Sequence, residues 1–398
     1  MRIGIYGGTF NPPHLGHITA ARSVFELLKL DKLLLVPAKL PPHKDMPAGS
    51  ATPEQRLEMT ALAGDQTGLG DRVEVLDLEL EREGKSYTCD TLESIQQLYP
   101  GAELWLMMGT DMFLTFQNWK DPDRILSMAG LVAFGRTEAD VEELFDIQRE
   151  ALLRRWRQAR IVTLTLPHIV DISSTELRER LGQGGGAHSL APAVYGYILR
   201  EKLYGVEADL KNLPLQQLRA AALSYLKYKR IPHVLGTEQE AVGLAIRYGV
   251  DVRKAQVAAL LHDCTKRLNT EEQLALCRQY QLPVDDLERQ ALKLLHAKTG
   301  AAVARTVFGV GEDVYFAIRW HTTGISHMSA LEKIIYLADY IEPTRDFPGV
   351  EELRRVSYED LDKGMLMGLE MTIREQEERG NPVHENTQRA RDDLKGKS

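Results

Sequence analysis

The sequence predicts two architectures in one chain: a doubly wound parallel α/β sheet up to about residue 204, and an all-α domain beyond it. Three observations carry this. Short apolar runs alternate with helical periods through the first half. After "YGVEADLKNLP" (204–214) only helical periods recur. The 398 residues also exceed what one hydrophobic core usually organises.

The apolar runs are Ile3–Tyr6, Leu33–Val36, Val73–Leu78, Leu104–Met108, Leu131–Phe134 and Ile161–Leu166, each suited to a buried strand. Helical periods lie between most of them, at Leu15–Leu28, Pro53–Ala63 and Thr88–Leu98. Thr52 before Pro53 supplies a capping hydroxyl and a first-turn proline. Such alternation implies parallel strands covered on both faces, a Rossmann-like sheet whose ligands sit at the carboxyl ends of the strands. In the second half, helices are expected at Leu215–Tyr228, His233–Tyr248, Val252–His262, Glu271–Tyr280, Asp285–Phe308, Glu312–His321 and Ala330–Ile341. The expected layout is a domain over 1–205, a linker at 206–213, a second domain over 214–380, and a polar tail at 381–398 that frays.

Composition narrows the function. Hydrophobic content of 43% with 27% charged residues reads as globular. A net charge of −8 argues against a general nucleic-acid or anionic-membrane surface, while leaving room for small phosphorylated ligands. Three cysteines without paired spacing fit a reducing compartment. With no signal-peptide pattern and no membrane-length apolar run, a cytoplasmic location is expected. A homo-oligomer is left open.

"GIYGGTFNPPHLGH" (4–17) puts glycines at the end of the first strand and two histidines at the start of a helix. The glycines let backbone approach a ligand, and the helix start offers unpaired amides, so a phosphate chain belongs there. His14 and His17 beside it suit stabilisation of charge developing at phosphorus. The spacing is neither GxGxxG nor a Walker loop. "ISSTELRERL" (172–181) reads as a strand exit, a hydroxyl cap and a helix. It offers phosphates the hydroxyls of Ser173, Ser174 and Thr175 and the fork of Arg178.

These two stretches resemble the HxGH nucleotidyltransferase superfamily. With "PPHK" (41–44), "SYTCDT" (86–91) and "GTDMFLTFQNW" (109–119), the resemblance narrows to bacterial nicotinate-mononucleotide adenylyltransferases and spans residues 1 to 204. It implies transfer of AMP from ATP, carried with Mg2+, to nicotinate mononucleotide, giving the deamido precursor of NAD and pyrophosphate. It implies catalytic roles for His14, His17, Lys44 and Arg178. It implies ATP contacts from Gly8, Thr9, Phe10, Gly109, Asp111, Arg136, Ser173, Ser174 and Thr175. Lys44, Thr88 and Trp119 would surround the pyridine nucleotide. The alternative is a sister transferase with another acceptor.

In the helical half, "AALLHDCTK" ends a helix with His262 and Asp263. His233, His296, His321 and Asp339 also fall at or near the ends of helical periods, where side chains from several helices can converge. An imidazole-rich set with few carboxylates favours a transition metal over magnesium. The order H…HD…H…H…D resembles the HD superfamily of metal-dependent phosphohydrolases. That resemblance implies His233, His262, Asp263 and Asp339 as primary ligands, and His296 and His321 as the added ligands of two-metal members. It implies one or two ions, iron with manganese or cobalt as alternatives. "LADYIEPTRDFPGVEELR" (337–354) resembles the bacterial HD hydrolases that split diadenosine tetraphosphate into two ADP. There Asp263 and Lys266 would serve catalysis, and Lys266 and Arg345 would meet the polyphosphate. The alternatives are another nucleotide substrate, or a sensor that binds without turnover.

Overall fold

The computed structural model describes residues 1–40, 46–82, 84, 86–135, 142–166 and 172–396. The chain divides into two units, Met1–Glu207 and Ala208–Ser398, taken separately below.

The first unit holds six strands: β1 (Arg2–Gly8), β2 (Lys32–Pro37), β3 (Val73–Val75), β4 (Glu103–Gly109), β5 (Ala129–Phe134) and β6 (Ile161–Leu164). Their order is β3-β2-β1-β4-β5-β6, and every pairing is parallel. Successive residues feed opposite layers: Ile3, Ile5, Leu104 and Leu106 enter one core, and Tyr6, Leu33, Trp105 and Met107 the other. Burial on both faces is why the strands read as unbroken apolar runs. The edge strand β3 is shorter than its run, although the Leu76 amide still donates to the Leu35 carbonyl at 2.9 Å. Strand order reverses direction between β1 and β4, the position where α/β sheets of this kind open a ligand crevice.

The second unit is helical, with no strand among the described residues. Its helices cover Leu215–Leu223, Ile231–Tyr248, Val252–Leu261, Thr270–Gln279, Asp286–Gln290, Leu295–Phe308, Glu312–Arg319, Ala330–Ile341, Val350–Glu359, Leu361–Glu378 and Glu385–Lys395. Three expectations need correction. The period Asp285–Phe308 is broken at Ala291 (φ −116°, ψ 62°) with neither glycine nor proline to mark it. A buried Lys298–Glu288 ion pair at 2.5 Å ties the short helix back onto the long one. The first helix stops at Leu223 rather than Tyr228. The polar tail forms the helix Glu385–Lys395, which buries Thr387, Ala390 and Leu394 as a narrow stripe. The Thr387 hydroxyl anchors it by donating to the Thr323 carbonyl at 2.8 Å. Among the described residues no helix is long and apolar enough to cross a membrane.

Candidate active sites

In the first unit the motif residues gather at the carboxyl ends of the strands. Gly8, Thr9 and Phe10 follow from β1, with Phe10 at φ 46° and its ring edge-on to Tyr6 and to His17. A Cβ on Gly8 would lie 3.3 Å from the Phe10 ring, so this turn leaves little room for a side chain there. His14 caps the helix Leu15–Leu27, and its backbone N–H donates to His17 Nδ1 at 3.2 Å. The two imidazole centroids are 3.8 Å apart, so the structure brings the predicted pair together.

The helix Ser174–Gly182 closes on that loop. Arg178 donates to the Asn11 carbonyl at 2.8 Å and to the Thr175 hydroxyl at 3.2 Å, and Ser174 donates to the Pro12 carbonyl at 3.2 Å. Ser173 caps the helix by accepting from the Glu176 amide. The two end motifs are thus one piece of structure.

Across the switch point, Gly109 ends β4 and Asp111 stands exposed in the short helix Thr110–Leu114. Thr88 opens the helix Thr88–Leu98, and Trp119 is half-buried with its ring 5.6 Å from Phe116. The Lys120 ammonium lies 3.9 Å over the Tyr87 ring, so the segments carrying Thr88 and Trp119 meet. Lys44 and Arg136 lie outside the described residues.

Sequence reasoning missed Arg56, which looks like one polar position on the helix Pro53–Asp65. It is 1% exposed and donates to the carbonyls of Thr9 (2.8 Å), Ala38 (2.5 Å) and Lys39 (3.0 Å). It thereby clasps the loops leaving β1 and β2. No local pattern signals this, because its partners are backbone atoms far away in sequence.

In the second unit all six predicted ligands converge. His233 sits in the first turn of Ile231–Tyr248, and His262 and Asp263 directly follow Val252–Leu261. His296 opens Leu295–Phe308, His321 follows Glu312–Arg319, and Asp339 lies in the last turn of Ala330–Ile341. Nδ1 of His262 donates to the Ala259 carbonyl (2.6 Å), that of His321 to Ile318 (2.7 Å), and that of His296 to Lys293. A carbonyl only accepts, so in its neutral form each ring turns its Nε2 lone pair inward. His233 instead places Nδ1 3.0 Å from Glu342 Oε1, a carboxylate three residues past Asp339.

The inward atoms crowd one another. His296 and His321 bring their Nε2 atoms to 3.1 Å, and His233 and His262 theirs to 3.4 Å. His233 Nε2 is 2.9 Å from Asp339 Oδ1. Asp263 Oδ1 is buried without a hydrogen-bond partner, although it lies 3.1 Å from His296 Nε2. Facing lone pairs and an orphaned carboxylate oxygen fit a bound divalent cation. His233, His262, Asp339 and Asp263 Oδ2 could hold one ion, and His296, His321 and Asp263 Oδ1 a second, with Asp263 between them.

The electrostatics divide the imidazoles. Burial lowers His262, but Asp263 and Asp339 outweigh it and hold it above the usual histidine value, whereas His296 falls below that value, chiefly by burial. Burial by itself pushes the Asp263 carboxyl up, but His262 and His296 outweigh it and hold it well below the usual carboxylate range. Burial and the neighbouring imidazoles keep His321 well below the usual histidine value, so it stays neutral. A cationic rim surrounds the cluster. Arg345 donates to Asp339 Oδ1 at 3.0 Å, and the Lys266 ammonium lies 3.0 Å from His296 Nε2. Arg230, absent from the sequence reading, donates to Asp263 Oδ2 at 2.5 Å. Its one available signal was its place three residues before His233.

Residues 5–180 match the cytidylyltransferase-like family and residues 230–344 the HD domain family. A Dictyoglomus turgidum protein described as a probable nicotinate-nucleotide adenylyltransferase is 36% identical over 214 residues, covering 54% of this chain and 100% of that relative. The chain belongs to the nicotinate-nucleotide adenylyltransferase family. Its adenylyltransferase half is also 40% identical to a Thermus thermophilus protein of the same description over 205 residues, 51% of this chain and 100% of the relative. A Clostridium acetobutylicum protein described as a predicted HD superfamily hydrolase involved in NAD metabolism is 41% identical. It covers 47% of this chain and 99% of its own, with a TM-score of 0.45. The chain is a fusion of an adenylyltransferase-family domain and an HD domain.

Proposed function

We propose that the chain is bifunctional, with one activity in residues 1–205 and the other in 214–380. The first domain transfers the adenylyl group of ATP to nicotinate mononucleotide. An oxygen of the acceptor phosphate attacks the α-phosphorus, the bond to the bridging oxygen breaks, and pyrophosphate leaves with Mg2+. His14, His17, Lys44 and Arg178 offset the charge that grows at phosphorus, which is positioning plus electrostatics. Gly8, Thr9 and Phe10 approach the triphosphate, Ser173, Ser174 and Thr175 meet its outer phosphates, and Asp111 accepts from ribose. Gly109 and Arg136 complete the ATP contacts, and Thr88 and Trp119 close on the pyridine nucleotide. The observation that carries this reading is the joining of the paired histidines to the Arg178 helix at the switch point.

The second domain hydrolyses a dinucleoside polyphosphate, and in our reading cleaves diadenosine tetraphosphate into two ADP. A water oxygen bonds to phosphorus and the bridging oxygen leaves with the other nucleotide. The ion, iron with manganese or cobalt as substitutes, polarises phosphoryl oxygen and acidifies water when bound. Lys266, Arg345 and Arg230 form a cationic rim suited to a substrate of several negative charges. The orphaned Asp263 oxygen among facing imidazoles supports this reading most strongly. Its test is to strip the purified chain with a chelator, remove the chelator, and assay both reactions with Mg2+ present. Adenylyl transfer should persist while hydrolysis is lost, and Fe2+, Mn2+ or Co2+ should restore hydrolysis better than further Mg2+. Hydrolysis surviving in metal-stripped protein would defeat the reading.

A further inference from the structure

The phosphate loop of the first unit is held by a residue at the far end of that unit. Tyr204 is buried, and its hydroxyl donates to Asn11 Oδ1 at 2.9 Å across 193 residues of sequence. Asn11 is itself 2% exposed, and both polar atoms of its side chain and its carbonyl are engaged. Oδ1 also accepts from the Ala51 amide (3.2 Å), Nδ2 donates to the Ser50 hydroxyl (2.9 Å), and its carbonyl accepts from Arg178 (2.8 Å). The Asn11 side chain therefore ties the loop after β1 to the approach to the helix Pro53–Asp65 and to the turn at 203–205, while its backbone carbonyl receives the Arg178 helix.

That turn is built for close approach. Lys202 and Tyr204 take left-handed backbone (φ 51° and 59°), a conformation that non-glycine residues adopt only at a cost. Gly205 packs 3.7 Å, measured from an added Cβ, against the Gly182 Cα at the end of the Arg178 helix. A Cβ on Gly182 would in turn meet the Tyr204 carbonyl at 3.2 Å. Burial pushes the Tyr204 phenol up, so it remains a donor throughout the working pH range. The turn thus aims one hydroxyl at the side chain of the residue whose backbone carbonyl anchors Arg178.

We propose that Tyr204 is a positioning residue for adenylyl transfer: through Asn11 it fixes the Thr9–His14 loop and the Arg178 anchor in the arrangement the transition state needs. It touches no substrate. Arg56 secures the Thr9 end of the same loop, so Tyr204 governs its middle. The inference rests on reading the first unit as an adenylyltransferase. Removing the hydroxyl leaves Asn11 Oδ1 still bonded to Ala51, so the loop loosens without coming apart.

The experiment is steady-state kinetics of Tyr204→Phe in the full-length chain with ATP and nicotinate mononucleotide. It is run well below the unfolding midpoint, alongside Asn11→Ala and the double variant. A hydrogen bond of ordinary strength that matters mainly in the transition state corresponds to a kcat loss of about tenfold. Both KM values should stay within about twofold. The double variant should be no slower than Asn11→Ala alone, because both changes cut one connection. Unchanged kcat, a KM rise at constant kcat, or additive losses would each overturn the proposal. If the unaltered chain formed no dinucleotide, the adenylyltransferase reading itself would fall, which is a separate result.

Discussion

Replacing Asp263 by Asn keeps the volume of the side chain and removes its charge. Asp263 Oδ1 lies 3.1 Å from His296 Nε2, and Oδ2 lies 3.5 Å from His262 Nε2 and 2.5 Å from Arg230. A neutral amide lacks the charge that would hold a divalent cation, and its NH2 would aim protons at one set of imidazole lone pairs. Losing a group that only orients a ligand costs about 10–100-fold in metal affinity. Losing the central carboxylate should therefore cost more than about 100-fold. The Arg230 partner reaches solvent, so the stability loss should be about 1–3 kcal/mol, below the 3–5 kcal/mol of a fully buried broken pair. The assay is metal per chain by elemental mass spectrometry after dialysis, beside hydrolysis of diadenosine tetraphosphate and formation of dinucleotide. Asp263→Asn should lose metal and hydrolysis together and keep adenylyl transfer within about twofold of the original. Stoichiometric metal with full hydrolysis would refute the reasoning.

Other predictions follow from the same geometry. His17→Ala should lower kcat for dinucleotide formation by about 10²–10³-fold with little change in the KM for ATP, since charge at phosphorus peaks in the transition state; near-normal turnover contradicts this. Trp119→Ala should raise the KM for nicotinate mononucleotide by about tenfold and that for ATP much less, and the unaltered chain should prefer the nicotinate form to the amide. Equal use of both acceptors would remove the pocket assignment. Fragments 1–208 and 209–398 should each fold and retain their own activity, because the chain divides into two compact units between Glu207 and Ala208; insoluble fragments would contradict that division. Burial raises the Glu79 carboxyl above the usual glutamate range, despite the hydrogen bond donated by Thr91. Its contribution is thus present in acid, below the usual glutamate range, and lost as pH rises through the raised folded value. Glu79→Gln should stabilise the chain in urea unfolding at pH 7 and give no gain in acid; an equal gain at both pH values would contradict the assignment.

What the sequence made legible depended on whether the physics was local. All six strands were readable, since burial on both faces leaves continuous apolar runs, and β3 was overestimated because an edge strand pairs on one side only. The break at Ala291 was not readable, because the Lys298–Glu288 ion pair behind it is a tertiary contact. The last helix escaped notice because only Thr387, Ala390 and Leu394 interrupt a polar run. The helices Val350–Glu359 and Leu361–Glu378 were likewise not assigned from periodicity. In the sites, His14, His17, His262 and Asp263 stood out as contiguous residue types tied to a chemistry. Arg56, Tyr204 and Arg230 did not, because they act on carbonyls or side chains that only the fold brings near.

The central claim is that one chain carries two chemistries, and product analysis of the purified full-length protein tests it most directly. Given ATP and nicotinate mononucleotide with Mg2+, it should release pyrophosphate and the deamido dinucleotide in equal amounts. Given diadenosine tetraphosphate and a transition metal, it should release ADP alone, two per substrate consumed. Failure to form the dinucleotide would contradict the first assignment. ATP plus AMP from the tetraphosphate, or no cleavage by the metal-loaded protein, would contradict the second.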